Sequence, residues 1–165
     1  MWISPSKGVM TFSQVLLKIK EEMEKGYNHD SFRLMVGCDS QTRKNTTFVT
    51  AIILHKVGRG AIFFYHKNTV RKIPVMQKRI FSEAAYSLGV AGQLADYLSR
   101  INLDVQVEIH VDIGENGETN KMLKEVIGMV AGSGFQCRVK PYSVAASWCA
   151  DRFNKSETVL SNEYI

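Results

Sequence analysis

The clearest pattern along the chain lies at residues 104–113. Val105, Val107, Ile109, Val111 and Ile113 alternate there with Gln106, Glu108, His110 and Asp112. Period two over such a length is a strand with one apolar and one polar face. Upstream, Phe12, Val15, Leu16, Ile19 and Met23 keep the helical period and predict a helix over 11–25. Thr11 with Gln14 supplies its N-terminal cap and Gly26 its end. An apolar run then predicts a strand over 32–38, and Thr, Val, Ile and Phe predict another over 46–56. Glycines at 58 and 60 make a turn into a third strand, 61–66. Residues 67–74 read as a basic connection ending in Pro74, and a long helix follows over 75–99. Gly89 and Gly92 inside it mark either a close helix–sheet contact or a break.

After the alternating strand, 114–118 is a turn. Thr119 caps a helix striped by Leu123, Val126, Ile127 and Val130. A fifth strand, 135–140, leads to a last helix over 144–153 and a polar tail, 154–165. Three meandering strands, then two reached by helical crossovers, predict one α/β domain over 1–165. Its five-stranded mixed sheet has strands one to three antiparallel and strands four and five parallel to the first. Helices flank it, with an additional N-terminal helix within 1–30.

Charge changes this picture locally. No acidic residue occurs between Asp39 and Glu83. That gap holds Arg43, Lys44, Lys56, Arg59, Lys67, Arg71, Lys72, Lys78 and Arg79, interleaved with Phe48, Phe63, Phe64 and Tyr65. Lys and Arg beside a polyanion release its counterions, so nucleic acid is the natural partner. The alternative is a solvated hairpin whose basic edges discourage strand pairing. No run approaches the about 18 apolar residues of a membrane span, and the start lacks a secretory leader's pattern. A cytoplasmic protein without a membrane role is expected. Cys38, Cys137 and Cys149 form no CxxC pair, which argues against zinc.

The candidate chemistry lies in carboxylates. Asp39 ends the first strand, Asp112 ends the fourth, and Asp151 lies on the last helix. With strands one and four parallel neighbours, Asp39 and Asp112 emerge at one sheet edge, where open sheets bind ligands. Two close carboxylates repel unless a cation separates them, and oxygen donors suit Mg²⁺ or Mn²⁺. Two such ions about 4 Å apart can activate water against a phosphodiester. Each acid also has a plainer reading: strand-end aspartates form turns or caps, and Asp151 can pair with Arg152 or Lys155.

Val-Gly-Cys-Asp-Ser-Gln (36–41), Ile-His-Val-Asp-Ile-Gly-Glu-Asn-Gly (109–117) and Ala-Ala-Ser-Trp-Cys-Ala-Asp-Arg-Phe (145–153) resemble the YkuK family of ribonuclease H-like proteins. The resemblance implies a two-metal nuclease site on Asp39, Asp112 and Asp151, with Glu83, Glu115 or Glu118 as the fourth carboxylate. His110 shares a strand face with Asp112. It is read either as assisting proton transfer or orienting a carboxylate, or as a structural histidine. Ser40 and Gln41 are candidate contacts to phosphate or sugar. Arg43, Lys44, Lys67, Arg71 and Lys72 are candidate contacts to the backbone of RNA, DNA or a hybrid. The rival readings are a nucleic-acid-binding module without catalysis and a protein-interaction scaffold. Oligomeric state stays open, with the third strand offering an edge to a second copy.

Overall fold

The computed structural model describes residues 1–26, 31–114 and 120–143. In chain order its elements are β1 (Trp2–Ser4), β2 (Gly8–Met10), α1 (Phe12–Gly26), β3 (Phe32–Thr42), β4 (Asn45–Lys56), β5 (Gly60–Arg71), α2 (Met76–Arg100), β6 (Val107–His110), α3 (Asn120–Gly132) and β7 (Gln136–Arg138). The strands form one mixed sheet in the order β2-β1-β5-β4-β3-β6-β7. β3, β4 and β5 pair antiparallel, while β6 lies parallel to β3 and β7 parallel to β6.

Alternation sorts each strand between two faces. Leu34, Val36, Ile52, Leu54, Phe64, Val107 and Ile109 pack beneath Val15 and Ile19 of α1, Ile80 to Leu98 of α2, and Met122 to Val130 of α3. All three described helices therefore share one face. Met35, Ala51 and Ile53 form a smaller cluster on the other, with Phe63 and Tyr65 against it. Central β3 is buried on both faces from Leu34 to Cys38, so it reads as a continuous apolar run while β6 alternates in sequence.

Local signals set the element ends. Thr11 Oγ1 accepts from Gln14 N at 3.2 Å, and Thr11 N donates to Gln14 Oε1 at 2.8 Å, the reciprocal cap of α1. Gly58 and Gly60, at φ 78° and 101°, make the β4–β5 turn. Beyond β5, Ile73 N donates to Thr46 Oγ1 at 2.8 Å and ties the connection back to β4.

The sheet has seven strands among the described residues, not five. The two extra ones open the chain as a hairpin, where only a helical extension was expected. Each is three residues long, too short to show a period. β1 meets β5 at Ile3↔Tyr65, so the third-strand edge proposed for a second copy is already partly occupied. Residues 67–71, read as connection, continue β5 because β4 offers partners as far as Asn45↔Arg71. The assigned span of β6 is shorter than 104–113. Gly89 and Gly92 mark neither a close contact nor a break: α2 is continuous, and nothing lies within 4 Å of a Cβ at either. The expected helix 144–153 and tail 154–165 lie outside the described residues. No described helix is long and apolar enough to cross a membrane.

Candidate active site

Asp39 is not the end of its strand. β3 runs on to Thr42 because β4 keeps pairing with it, through Asp39↔Val49 to Thr42↔Thr46. Asp112 instead lies just beyond β6, where pairing persists through Val111 N to Arg138 O at 2.9 Å and Lys140 N to Ile113 O at 2.8 Å. The parallel register ends at Gly37↔His110, two residues before each aspartate, and both Asp39 and Asp112 lie close enough to Glu83 for their charges to act on it. Neighbouring strands lie about 4.8 Å apart. Asp39 pairs with Val49, which pairs in turn with Lys67 of β5, while Lys140, two residues past β7, lies beside Gly114 with its N–H on Ile113 O. Lys140 Nζ stands 3.0 Å from Asp112 Oδ1. Lys140 was not among the sequence candidates; its only signal is the β6–β7 register, which no local pattern carries.

Ser40, one residue past Asp39, turns to the helical face and donates to Glu83 Oε1 at 2.6 Å. This bond brings Glu83 of α2 to the site, although its depth in the helix argued against it. Glu83 is only 7% exposed. Burial first, then the negative charges of Asp39 and Asp112, push its carboxyl up to about 8, against the Ser40 hydrogen bond and Arg79. Cys38 lies alongside as a buried thiol. It accepts from Thr50 Oγ1 at 3.4 Å, and burial holds its pKa well up, so it is no nucleophile at neutral pH.

Asp39, Glu83 and Asp112 therefore feel one another. Among the described residues, however, no three His, Cys, Asp or Glu side chains converge closely enough to hold a metal ion by themselves. Asp151, Glu115 and Glu118, the other expected ligands, lie outside the described residues.

The basic block divides. Arg43 and Lys44 form the exposed β3–β4 turn, and Arg71, paired with Asn45, lies beside it with Lys72 next in chain. These four stand at the sheet end toward which Asp39 points, with Gln41 and Lys67 half-buried between. Lys56 and Arg59 sit at the opposite end of the β4–β5 hairpin. Phe48 and Phe64 are buried at 1% exposure, so these two interleaved aromatics are core and cannot stack on bases. Phe48 instead meets the Tyr86 ring at 4.9 Å, and Asn68 Nδ2 donates to the Tyr86 hydroxyl at 2.7 Å.

His110 is buried, and its Nε2 lies 3.4 Å from Glu108 Oε2; its hydrogen bond goes there and not to Asp112. Burial lowers its pKa despite that carboxylate. Its Nδ1 has no hydrogen-bond partner among the described residues. Glu108 is gripped by Arg33, whose Nε and Nη2 donate at 3.0 and 2.8 Å, with Arg138 Nε at 3.4 Å. The Arg33 guanidinium is the main cause of a Glu108 pKa lowered to about 2. His110 thus belongs to a separate ionic cluster, two rungs from the aspartates.

Comparison with known proteins bears on this arrangement. Residues 14–155 match the family described as ribonuclease H-like. The chain is 34% identical over 163 residues to YkuK of Bacillus subtilis (strain 168), itself named as uncharacterized, with 91% of this chain and 94% of that protein covered. No solved structure matches.

Proposed function

The chain belongs to the ribonuclease H-like family, and from that membership we propose that it is a divalent-metal-dependent nuclease cleaving phosphodiester bonds of RNA, DNA or a hybrid. The observation that supports this reading is buried Glu83, held by Ser40 and pushed to a pKa of about 8 by burial and by the charges of Asp39 and Asp112. The donors of such a grouping are carboxylate oxygens, which fit Mg²⁺ or Mn²⁺. Asp39, Glu83 and Asp112 would hold the ions, with Asp151 and Glu115 or Glu118 as further candidate ligands. Two bound ions would supply an activated water in line with phosphorus and neutralise the leaving oxygen. Ser40 fixes the Glu83 carboxyl. Gln41, Arg43, Lys44, Lys67, Arg71 and Lys72 would carry the phosphate backbone past the aspartates. Within the sheet, β6 and β7 run parallel to β3, so the chain leaves β6 for Asp112 at the end of the sheet towards which β3 runs.

The test is Mn²⁺-dependent cleavage of labelled single-stranded, duplex and hybrid oligonucleotides by the full chain and by Asp39→Asn. Cleavage by the wild type that disappears in a folded variant supports the reading. Equal cleavage by both would exclude Asp39 from the site.

The second reading, a nucleic-acid-binding module without catalysis, is favoured by one observation: Lys140 already neutralises Asp112. It predicts salt-sensitive binding that Asp39→Asn leaves intact, and no cleavage with any divalent metal.

A further inference from the structure

A lysine already stands on Asp112, and this bears on the site proposed above, on which the inference rests. Lys140 is held at its backbone: its N–H donates to Ile113 O at 2.8 Å, and its Cβ would lie 3.3 Å from a Cβ at Gly114. Its side chain is free of that anchoring, with 57% exposure, and its ammonium sits 3.0 Å from Asp112 Oδ1. Asp112 is 31% exposed at the side chain, so the pair is open to solvent and to ions. An oxygen engaged with an ammonium is not a full-strength metal ligand, and a cation entering beside Asp112 meets a like charge.

We infer that Lys140 is the resident counter-ion of Asp112: it holds the carboxylate when no divalent metal is bound and is displaced when one arrives. The long side chain, anchored only at its backbone, then swings clear of Asp112 at the same sheet end as Arg43, Lys44, Arg71 and Lys72. There it joins the groups that meet a phosphate. Lys140 is thus a positioning residue that opposes metal loading and contributes to substrate binding only after loading. A purely structural ion pair between β6 and β7 would do neither.

The experiment is calorimetric titration of the full-length protein with Mn²⁺ alone, in wild type, Lys140→Met, Lys140→Arg and Asp39→Asn. Removing an ammonium from a half-exposed pair should tighten Mn²⁺ binding on the order of fivefold in Lys140→Met. Lys140→Arg keeps the charge and should stay within about twofold of the wild type. A phosphodiester oligonucleotide added with Ca²⁺ should bind Lys140→Met more weakly than the wild type, whereas without divalent ions the two should bind alike. Mn²⁺ binding that Asp39→Asn abolishes and Lys140→Met leaves unchanged or weakens would overturn the counter-ion role while leaving the metal site standing. Mn²⁺ binding indifferent to Asp39→Asn would remove the site itself, and the inference with it.

Discussion

Glu83 and Glu108 are equally buried, each at 7% exposure, yet they sit at opposite ends of the carboxylate range. Glu83 is pushed up to about 8 and Glu108 held down to about 2. Burial raises both and is the main cause at Glu83, but it does not decide Glu108. The neighbours do. Glu108 has a two-pronged arginine, a second arginine and an imidazole around it. Glu83 has one serine hydroxyl, a more distant Arg79 and two aspartates that oppose its charge. The first cluster is complete within the chain. In the second, Glu83 itself has no arginine or lysine within ion-pair distance among the described residues, and its carboxyl is held towards the protonated form.

Four measurements can break or sharpen this contrast. The largest effect concerns activity. Glu83→Gln is expected to cut Mn²⁺-dependent cleavage by about a hundredfold or more, while Glu108→Gln leaves it within a few-fold in protein that remains folded. Equal losses in the two variants would erase the distinction. The next is stability. Arg33→Ala leaves Glu108 with only its weaker partners and should cost about 2–3 kcal/mol in urea unfolding at pH 7; the exposed half of the arginine keeps this below a fully buried pair.

The third uses pH, and the two glutamates should act with opposite signs. Glu108 binds its proton less readily when folded, so its contribution is present at neutral pH and lost as pH falls from about 4.5 toward about 2. Glu83 binds its proton more readily when folded, so the fold loses stability as pH rises from about 4.5 to about 8. Metal-free Glu83→Gln should therefore exceed the wild type by on the order of 2 kcal/mol at pH 8.5 and match it near pH 4. A wild-type advantage at pH 8.5 would mean that Glu83 is satisfied after all. The smallest effect is a control remote from both clusters. Gly89→Ala and Gly92→Ala, at exposed positions of an unbroken helix, should each stabilise by about 0.5–1 kcal/mol in thermal unfolding and leave cleavage unchanged.

How legible each cluster was in the sequence follows from how local its signals are. Asp39 and Asp112 could be picked out because the first follows an apolar run and the second stands near the end of an alternating strand. Thr11 and Gln14 announced the start of α1 for the same reason. Glu83 was underrated because its distance from the helix start was judged without its partner; Ser40, 43 residues earlier, settles its place. Glu108 passed as one polar residue on an amphipathic strand, since Arg33 reaches it across 75 residues. Lys140 became visible only through the β6–β7 register. The opening hairpin was missed because three-residue strands carry no period and owe their form to β5. What sequence conceals here is pairing between strands, which tertiary packing decides.

The hairpin also bears on the order in which the protein is made. Synthesis runs from the N-terminus, so β1 exists before Tyr65, its partner on β5, has been added. The segment that meets the β5 edge at Tyr65 is thus already synthesised when β5 is completed. That part of the edge need not await a later segment, and the interval in which nascent chains could join there is shortened.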